Sequence, residues 1–138
     1  MPRTLTALCV LIAAACGLAM GTALSAPVPN ETLEANCNAG KASSCALLAI
    51  RYRHGRGLPR DPVKAYAYAE KGCAAGSAFA CGYAGDMLFR GFGTGQDRKE
   101  GERMMRSACT AGDRWSCDAL RANGLSAPLG KPASLSGL

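Results

Sequence analysis

The sequence predicts an all-α fold, a short α-solenoid of stacked antiparallel helix hairpins, and three observations carry that prediction. Three segments recur at a fixed interval: CNAGKASSC from Cys37 to Cys45, CAAGSAFAC from Cys73 to Cys81, and CTAGDRWSC from Cys109 to Cys117. Each copy starts 36 residues after the last and has Ala-Gly at its third and fourth positions. A period of this size is the signature of a stacked repeat. Other positions keep the same register: Gly55 and Gly57 return as Gly91 and Gly93, and Asp61 returns as Asp97. Finally, small residues (Ala65, Ala67, Ala69, Ala78, Ala80) punctuate the intervening segments, where they let helices approach closely.

Each period reads as helix, glycine turn, helix, tight Ala-Gly turn. Glycine supplies the positive φ that such turns need. Asp61 and Asp97 stand at N-cap positions, and Pro62 suits the first helical position that follows. Helices are expected at about Glu31–Cys37, Ala42–Arg53, Pro62–Ala74, Ser77–Arg90, Arg98–Thr110 and Asp113–Ala122, with Asn123-Gly124 as the final stop. The cysteines constrain this reading. Eight helical steps separate residues by roughly 12 Å, and a disulfide needs Cα atoms roughly 4.4–6.8 Å apart. Either the cysteines do not pair within a segment, or the helix breaks between them, and the central Ala-Gly supplies such a break.

The run LLAIRYRHGRGLPRDPVKAYAYAEKGCAAGSAFAC resembles a Sel-one-like repeat, a relative of the tetratricopeptide repeat. Leu48, Tyr52, Gly55, Gly57, Asp61, Lys64, Ala65, Tyr68, Lys71 and Gly76 match that family's pattern. The resemblance covers residues 31–123. The second unit departs from the pattern: Ala84 replaces Leu, Leu88 replaces Tyr, Thr94 replaces Val, Glu100 replaces Lys and Gly101 replaces Ala. Weaker local packing is expected there. The cysteine pair per repeat is similar to the Helicobacter cysteine-rich branch, in which each pair staples adjacent helices. The resemblance thus implies one disulfide per repeat: Cys37–Cys45, Cys73–Cys81 and Cys109–Cys117. That branch has also been described as β-lactamases or penicillin-binding proteins, so hydrolysis of a β-lactam is the enzymatic alternative.

The ends read differently. Residues 1–25 have the form of a signal peptide, with Arg3, an apolar run from Leu5 to Met20, and small residues up to Ser25. A lipoprotein reading would make Cys16 the acylated residue, but Ala13-Ala14-Ala15 is a poor lipobox. A membrane anchor is disfavoured by the Ala/Gly-rich run with no charged stop after it. Removal of this segment takes away Cys9 and Cys16 and leaves six cysteines in an exported chain, which favours disulfides in a secreted or periplasmic setting. Residues 26–30 read as a linker, residues 31–123 as the repeat domain, and residues 124–138, rich in Gly, Pro and Ser, as a disordered tail.

Catalytic signatures are scarce. His54 is the only histidine. There is no HExxH, GxSxG, CxxC or SxxK, so neither a metal centre, a redox dithiol nor an activated serine is indicated. The Gly91–Gln96 run mimics a dinucleotide loop but lacks the strand and the final glycine that such a site requires. No cofactor and no metal are expected. The whole chain has a formal charge of +6, and Arg51, Arg53, Arg56 and Arg60 gather around the first glycine turn. They read either as a solvated face or as a patch for an anionic partner. Tyr66 has no aromatic counterpart in the next unit, where Glu102 stands, and is the candidate exposed binding aromatic. The expected function is a monomeric interaction module for a protein or cell-envelope partner, with an assembly or chaperone role as a further alternative. Export argues against nucleic acid, and no stable membrane span is expected once the signal is removed.

Overall fold

The computed structural model describes residues 27–128. Among them are six helices: α1 (Asn30–Asn38), α2 (Ala42–His54), α3 (Pro62–Ala74), α4 (Ala78–Arg90), α5 (Arg98–Thr110) and α6 (Arg114–Ala122). The N-caps are side-chain acceptors at four of the six starts. Asp61 accepts from the Lys64 amide at 3.0 Å, Ser77 from Ala80 at 3.1 Å, Asp97 from Glu100 at 3.0 Å and Asp113 from Ser116 at 2.8 Å. Each satisfies an amide that the first helical turn leaves unpaired. Ser77 and Asp113 are therefore caps rather than helical residues. At the other ends, Gly55 and Gly91 stop α2 and α4 with φ of 69° and 67°, a conformation costly for any residue with a Cβ.

The Ala-Gly turns break the helices as the disulfides require. At the central one, Gly76 has φ 94°, and the Ser77 amide reaches back to the Gly72 carbonyl at 3.0 Å. The chain reverses, and the flanking cysteines come together. Cα separations are 4.8 Å for Cys37–Cys45, 4.4 Å for Cys73–Cys81 and 4.8 Å for Cys109–Cys117. The three bridges join α1 to α2, α3 to α4 and α5 to α6.

Helices pack mainly against their chain neighbours, as in a solenoid. In addition, α2 touches α4 and α4 touches α6, so these three form a common inner wall. One core cluster gathers Leu33, Leu48, Ala49, Tyr52, Ala65, Ala69, Tyr83, Ala84 and Met87 between α1 and α4. A second gathers Met105, Cys109, Ala119 and Leu120. Of the alanines expected to permit close approach, Ala65, Ala69 and Ala80 are fully buried, whereas Ala67 is exposed.

Three expectations are corrected. The second unit is not loosely packed: α4 and α5 are the most extensively packed pair. Gly85 and Gly101 make this possible, because a Cβ on Gly101 would lie 2.5 Å from the Gly85 carbonyl oxygen and 2.6 Å from the Phe89 nitrogen. The departures from the repeat pattern are thus a matched exchange of side-chain volume for backbone contact. Secondly, the segment after α6 does not leave the domain at residue 124. Leu125 and Ala127 pack on the second cluster, the Leu125 amide bonds the Leu120 carbonyl at 2.9 Å, and Arg106 donates to the Ser126 carbonyl at 2.7 Å. These residues close the end of the array over α5 and α6. Thirdly, α1 begins inside the expected linker, at Asn30, whose side chain donates to the Gly57 carbonyl at 2.9 Å and accepts from Arg51. The expected signal segment, with Cys9 and Cys16, and the tail beyond residue 128 lie outside the described residues.

The inner wall is locked by one carboxylate. Asp86 on α4 is buried, with only 2% of its surface exposed. Both terminal nitrogens of Arg53, from α2, donate to its Oδ2 at 3.1 Å. Arg90, one turn later, donates Nε to Oδ1 at 2.7 Å, and Asn123, just beyond α6, donates Nδ2 to Oδ1 at 3.1 Å. Arg53 is therefore not a solvated surface arginine: its side chain is 18% exposed and bound across the repeat boundary. Among the described residues, no buried side-chain polar atom lacks a hydrogen-bond partner.

Three outcomes follow for stability. Each disulfide closes a nine-residue loop, worth roughly 2.6 kcal/mol on the chain-entropy estimate, so reduction should lower the melting temperature sharply. A loss of only a few degrees in calorimetry would make the staples incidental. Arg53→Ala should cost about 3 kcal/mol, because it removes one partner of a buried pair, while Arg56→Ala should stay within about 0.5 kcal/mol. Denaturant melts of the two variants check this, and equal stabilities would refute the lock. Gly101→Ala restores the residue usual in the repeat pattern, yet should destabilise by about 1–3 kcal/mol, since the added methyl must push two backbones apart.

Candidate functional site

The inner wall carries a groove between α2, α4 and α6. An aromatic cluster, of which Trp115 lines the groove, packs beside it. Tyr83 packs against Phe79 with ring centroids 5.4 Å apart and against Trp115 at 5.1 Å, and Phe79 meets Trp115 edge-on at 5.4 Å. Such offset and edge contacts are the favoured aromatic geometries. The Arg53 guanidinium lies 4.9 Å from the Tyr83 ring centre and 5.2 Å from that of Phe92, which the turn after α4 carries to the groove. Arg60, in the turn after α2, approaches Phe92 at 5.3 Å. Phe92 thus has two cations within cation–π reach of its ring.

Two connected depressions make up the groove. One, of about 400 Å³, is lined by Arg53, His54, Arg60, Arg90 and Phe92. The other, of about 250 Å³, is lined by Arg53, Asp86, Arg90, Trp115, Asp118, Ala119 and Ala122. Arg53 and Arg90 belong to both and mark where they meet. His54 lies at the basic end, with Nε2 3.4 Å from the Tyr83 hydroxyl oxygen. Its pKa is lowered from the ordinary value, first by desolvation and then by the charges of Arg53, Arg56 and Arg60. A neutral imidazole at neutral pH follows, ready to charge as the solution is acidified.

The residues singled out in the sequence divide. Arg53 and Arg60 line the groove. Arg51 and Arg56 do not: they border a separate depression of about 520 Å³ with Pro27, Val28, Leu47 and Ile50. Tyr66 is corrected outright. It lies on α3, half-buried against the first core cluster, and its hydroxyl pKa is pushed up to about 12 by burial first and by Glu70 next. It packs on the core and is only partly exposed, and it does not line the groove. The six cysteines are all paired and structural.

Sequence reasoning missed Asp86, Arg90, Phe92 and Trp115 as parts of one site, and gave His54 no place in it. One signal was available. Asp86 is the only charged residue between Ser77 and Arg90, and its equivalents one period away are Ile50 and Ala122. A lone carboxylate at an apolar repeat position needs a partner.

The groove can hold an anion at one end and an apolar group at the other. Among the described residues, no group of three or more His, Cys, Asp or Glu is placed to hold a metal ion, and no helix is long and apolar enough to cross a membrane.

Comparison with known proteins places the architecture. No curated protein matches the chain. A Sel1 repeat protein from Oxalobacter formigenes shares the fold, with a TM-score of 0.61 and 23% identity over 67% of this chain and 69% of that one. Helicobacter pylori cysteine rich protein B superposes with a TM-score of 0.60 and 24% identity, covering 64% of this chain and 67% of its own. A protective antigen of uropathogenic Escherichia coli with an SLR fold gives 0.59 and 24% over 70% of this chain, which spans only 22% of the antigen's length. The Sel1 repeat model matches residues 42–77 and 78–113, which correspond to α2–α3 and α4–α5, so that Cys73–Cys81 joins the two repeats while Cys37–Cys45 and Cys109–Cys117 tie them to α1 and α6. With more than half its length in these two repeats and the hairpin stacking they require, the chain belongs to the Sel1 repeat family.

Proposed function

We propose that the chain is an exported, disulfide-stapled interaction module that binds a protein or cell-envelope partner through the inner face formed by α2, α4 and α6. One observation carries the reading. The groove on that face combines two aromatic side chains, Phe92 and Trp115, with arginines held in fixed positions by Asp86. Sites of this kind suit partners better than chemistry: rigid aromatics and arginines are the residue types that dominate binding energy at interfaces. Three disulfides support an oxidising, extracytoplasmic setting, because thiols in the cytosol are kept reduced. The signal-like residues 1–25 support the same placement.

The test is affinity capture from a periplasmic extract with the wild-type module and with a Phe92→Ala, Arg60→Gln variant. The variant should keep its helical circular dichroism and lose the captured partner. Capture unaffected by these changes would move the binding face elsewhere, with the Arg51–Arg56 depression next in line. Turnover of a chromogenic β-lactam that the same substitutions abolish would replace this reading with the hydrolase one.

Acidity supplies a second measurement. His54 gains a positive charge as pH falls through its lowered pKa, and an anionic partner at the basic end would favour that charged form. Affinity should therefore rise as pH falls below the ordinary histidine value, and His54→Gln should flatten that rise.

A further inference from the structure

The two ends of the groove differ in chemistry. At one end Arg60 is exposed and has no carboxylate partner among the described residues, and His54 and Arg90 lie beside it. The C-termini of α2 and α4 carry partial negative charge, which answers part of the charge on Arg53 and Arg90 in their last turns. Arg60 lies outside both helices; its chain neighbour Asp61 caps α3 and lies 4.0 Å from Lys64, and the groove's buried carboxylate, Asp86, is already engaged by Arg53, Arg90 and Asn123. This end is left with an excess of positive charge, with three arginines in its lining. Past Arg90 the lining becomes Trp115, Ala119 and Ala122, and Asp118 at the margin is drawn to Arg121 at 2.6 Å.

We infer that the groove receives an extended peptide segment whose carboxylate-bearing end lies over Arg60 and Arg90 and whose apolar side chains lie on Trp115, Ala119 and Ala122. This rests on the reading of the inner face as the binding face and specifies what binds there. Charge complementarity favours an acidic occupant. The apolar half favours a peptide over a polyphosphate or a purely charged chain, because only a mixed segment removes both the cationic rim and the apolar floor from water.

Trp115 is the only tryptophan, so its emission reports the apolar half directly. Four probes separate the alternatives: a capped peptide with a glutamate half and a leucine-phenylalanine half, the same peptide with glutamine for glutamate, oligoglutamate, and inorganic polyphosphate. The mixed acidic peptide should bind and shift the Trp115 emission. Its glutamine counterpart should bind about tenfold more weakly, and binding should weaken as salt rises, since exposed charges are screened over about 8–10 Å near physiological ionic strength. Arg60→Gln should weaken the acidic peptide about fivefold, the scale of one exposed charge contact. Arg56→Gln, on the other depression, should leave it unchanged. Circular dichroism of both variants confirms that the fold is kept. Oligoglutamate or polyphosphate binding as tightly as the mixed peptide would overturn the inference, and so would peptide binding with no change at Trp115 or no effect of Arg60→Gln. If partner capture depends on Phe92 and Arg60 while all four probes fail, this inference falls and the module reading stands. If capture ignores those residues, the module reading itself falls.

Discussion

The structure depends on how one buried carboxylate is satisfied. An ionised aspartate removed from water costs several kcal/mol unless its oxygens are fully hydrogen-bonded. Asp86 meets that condition with donors from three places in the chain: Arg53 at the end of α2, Arg90 in its own helix, and Asn123 beyond α6. A sliding or rotation of either neighbouring unit would strand the charge. The residue therefore sets the relative register of the three inner helices more sharply than apolar contact does, because apolar contact tolerates small shifts. An apolar residue of similar size at this position could match its stability. What it would not reproduce is the placement of two guanidinium groups at the centre of the groove.

The disulfides act at the opposite ends of the same helices. Cys45, Cys81 and Cys117 lie in the first turns of α2, α4 and α6, and each ties its helix to the one before it across an Ala-Gly turn. Asp86 ties the C-terminal halves together. Each inner helix is thus held covalently near its start and electrostatically near its finish. With two full repeats, the array is shorter than the three or more that repeat stacking usually needs. This double clamping, together with closure by Leu125 and Ala127, compensates for the small core.

Much of this was legible in the sequence because repeats expose it. The period, the capping aspartates, the glycine stops and the cysteine segments all recur in register, since each repeat makes the same internal contacts. The site was harder to read because it is built from positions that do not recur. Arg53 resembled a surface arginine in a basic cluster, and its partner lies 33 residues away in the next unit. Tyr66 drew attention for lacking an aromatic equivalent, yet its ring fills space against the core. Gly101 looked like a loss of packing because a missing methyl is visible in sequence, whereas the approach of the Gly85 backbone that it permits is not. Departure from the repeat average marks freedom from one shared contact, and a unique structural contact can use that freedom as readily as a ligand can.

The same register shows how a groove arises from so regular an array. Arg53 and Phe89 are equivalent positions one period apart. In the first unit the position carries a cation that crosses to Asp86 and roofs the aromatic rings of Tyr83 and Phe92. In the second it carries an aromatic that packs against the terminal cluster of Met105 and Leu120, near Leu125. His54 and Arg90 are likewise equivalent and both line the basic end of the groove, whereas Arg56 and Phe92, also equivalent, part: Phe92 lines the groove and Arg56 borders the separate depression. The scaffold repeats, so the exchanged side chains arrive at predictable places on one face. Because that face is framed by helices clamped at both ends, the exchanged groups are held in place before any partner arrives, and little ordering entropy remains to be lost on binding.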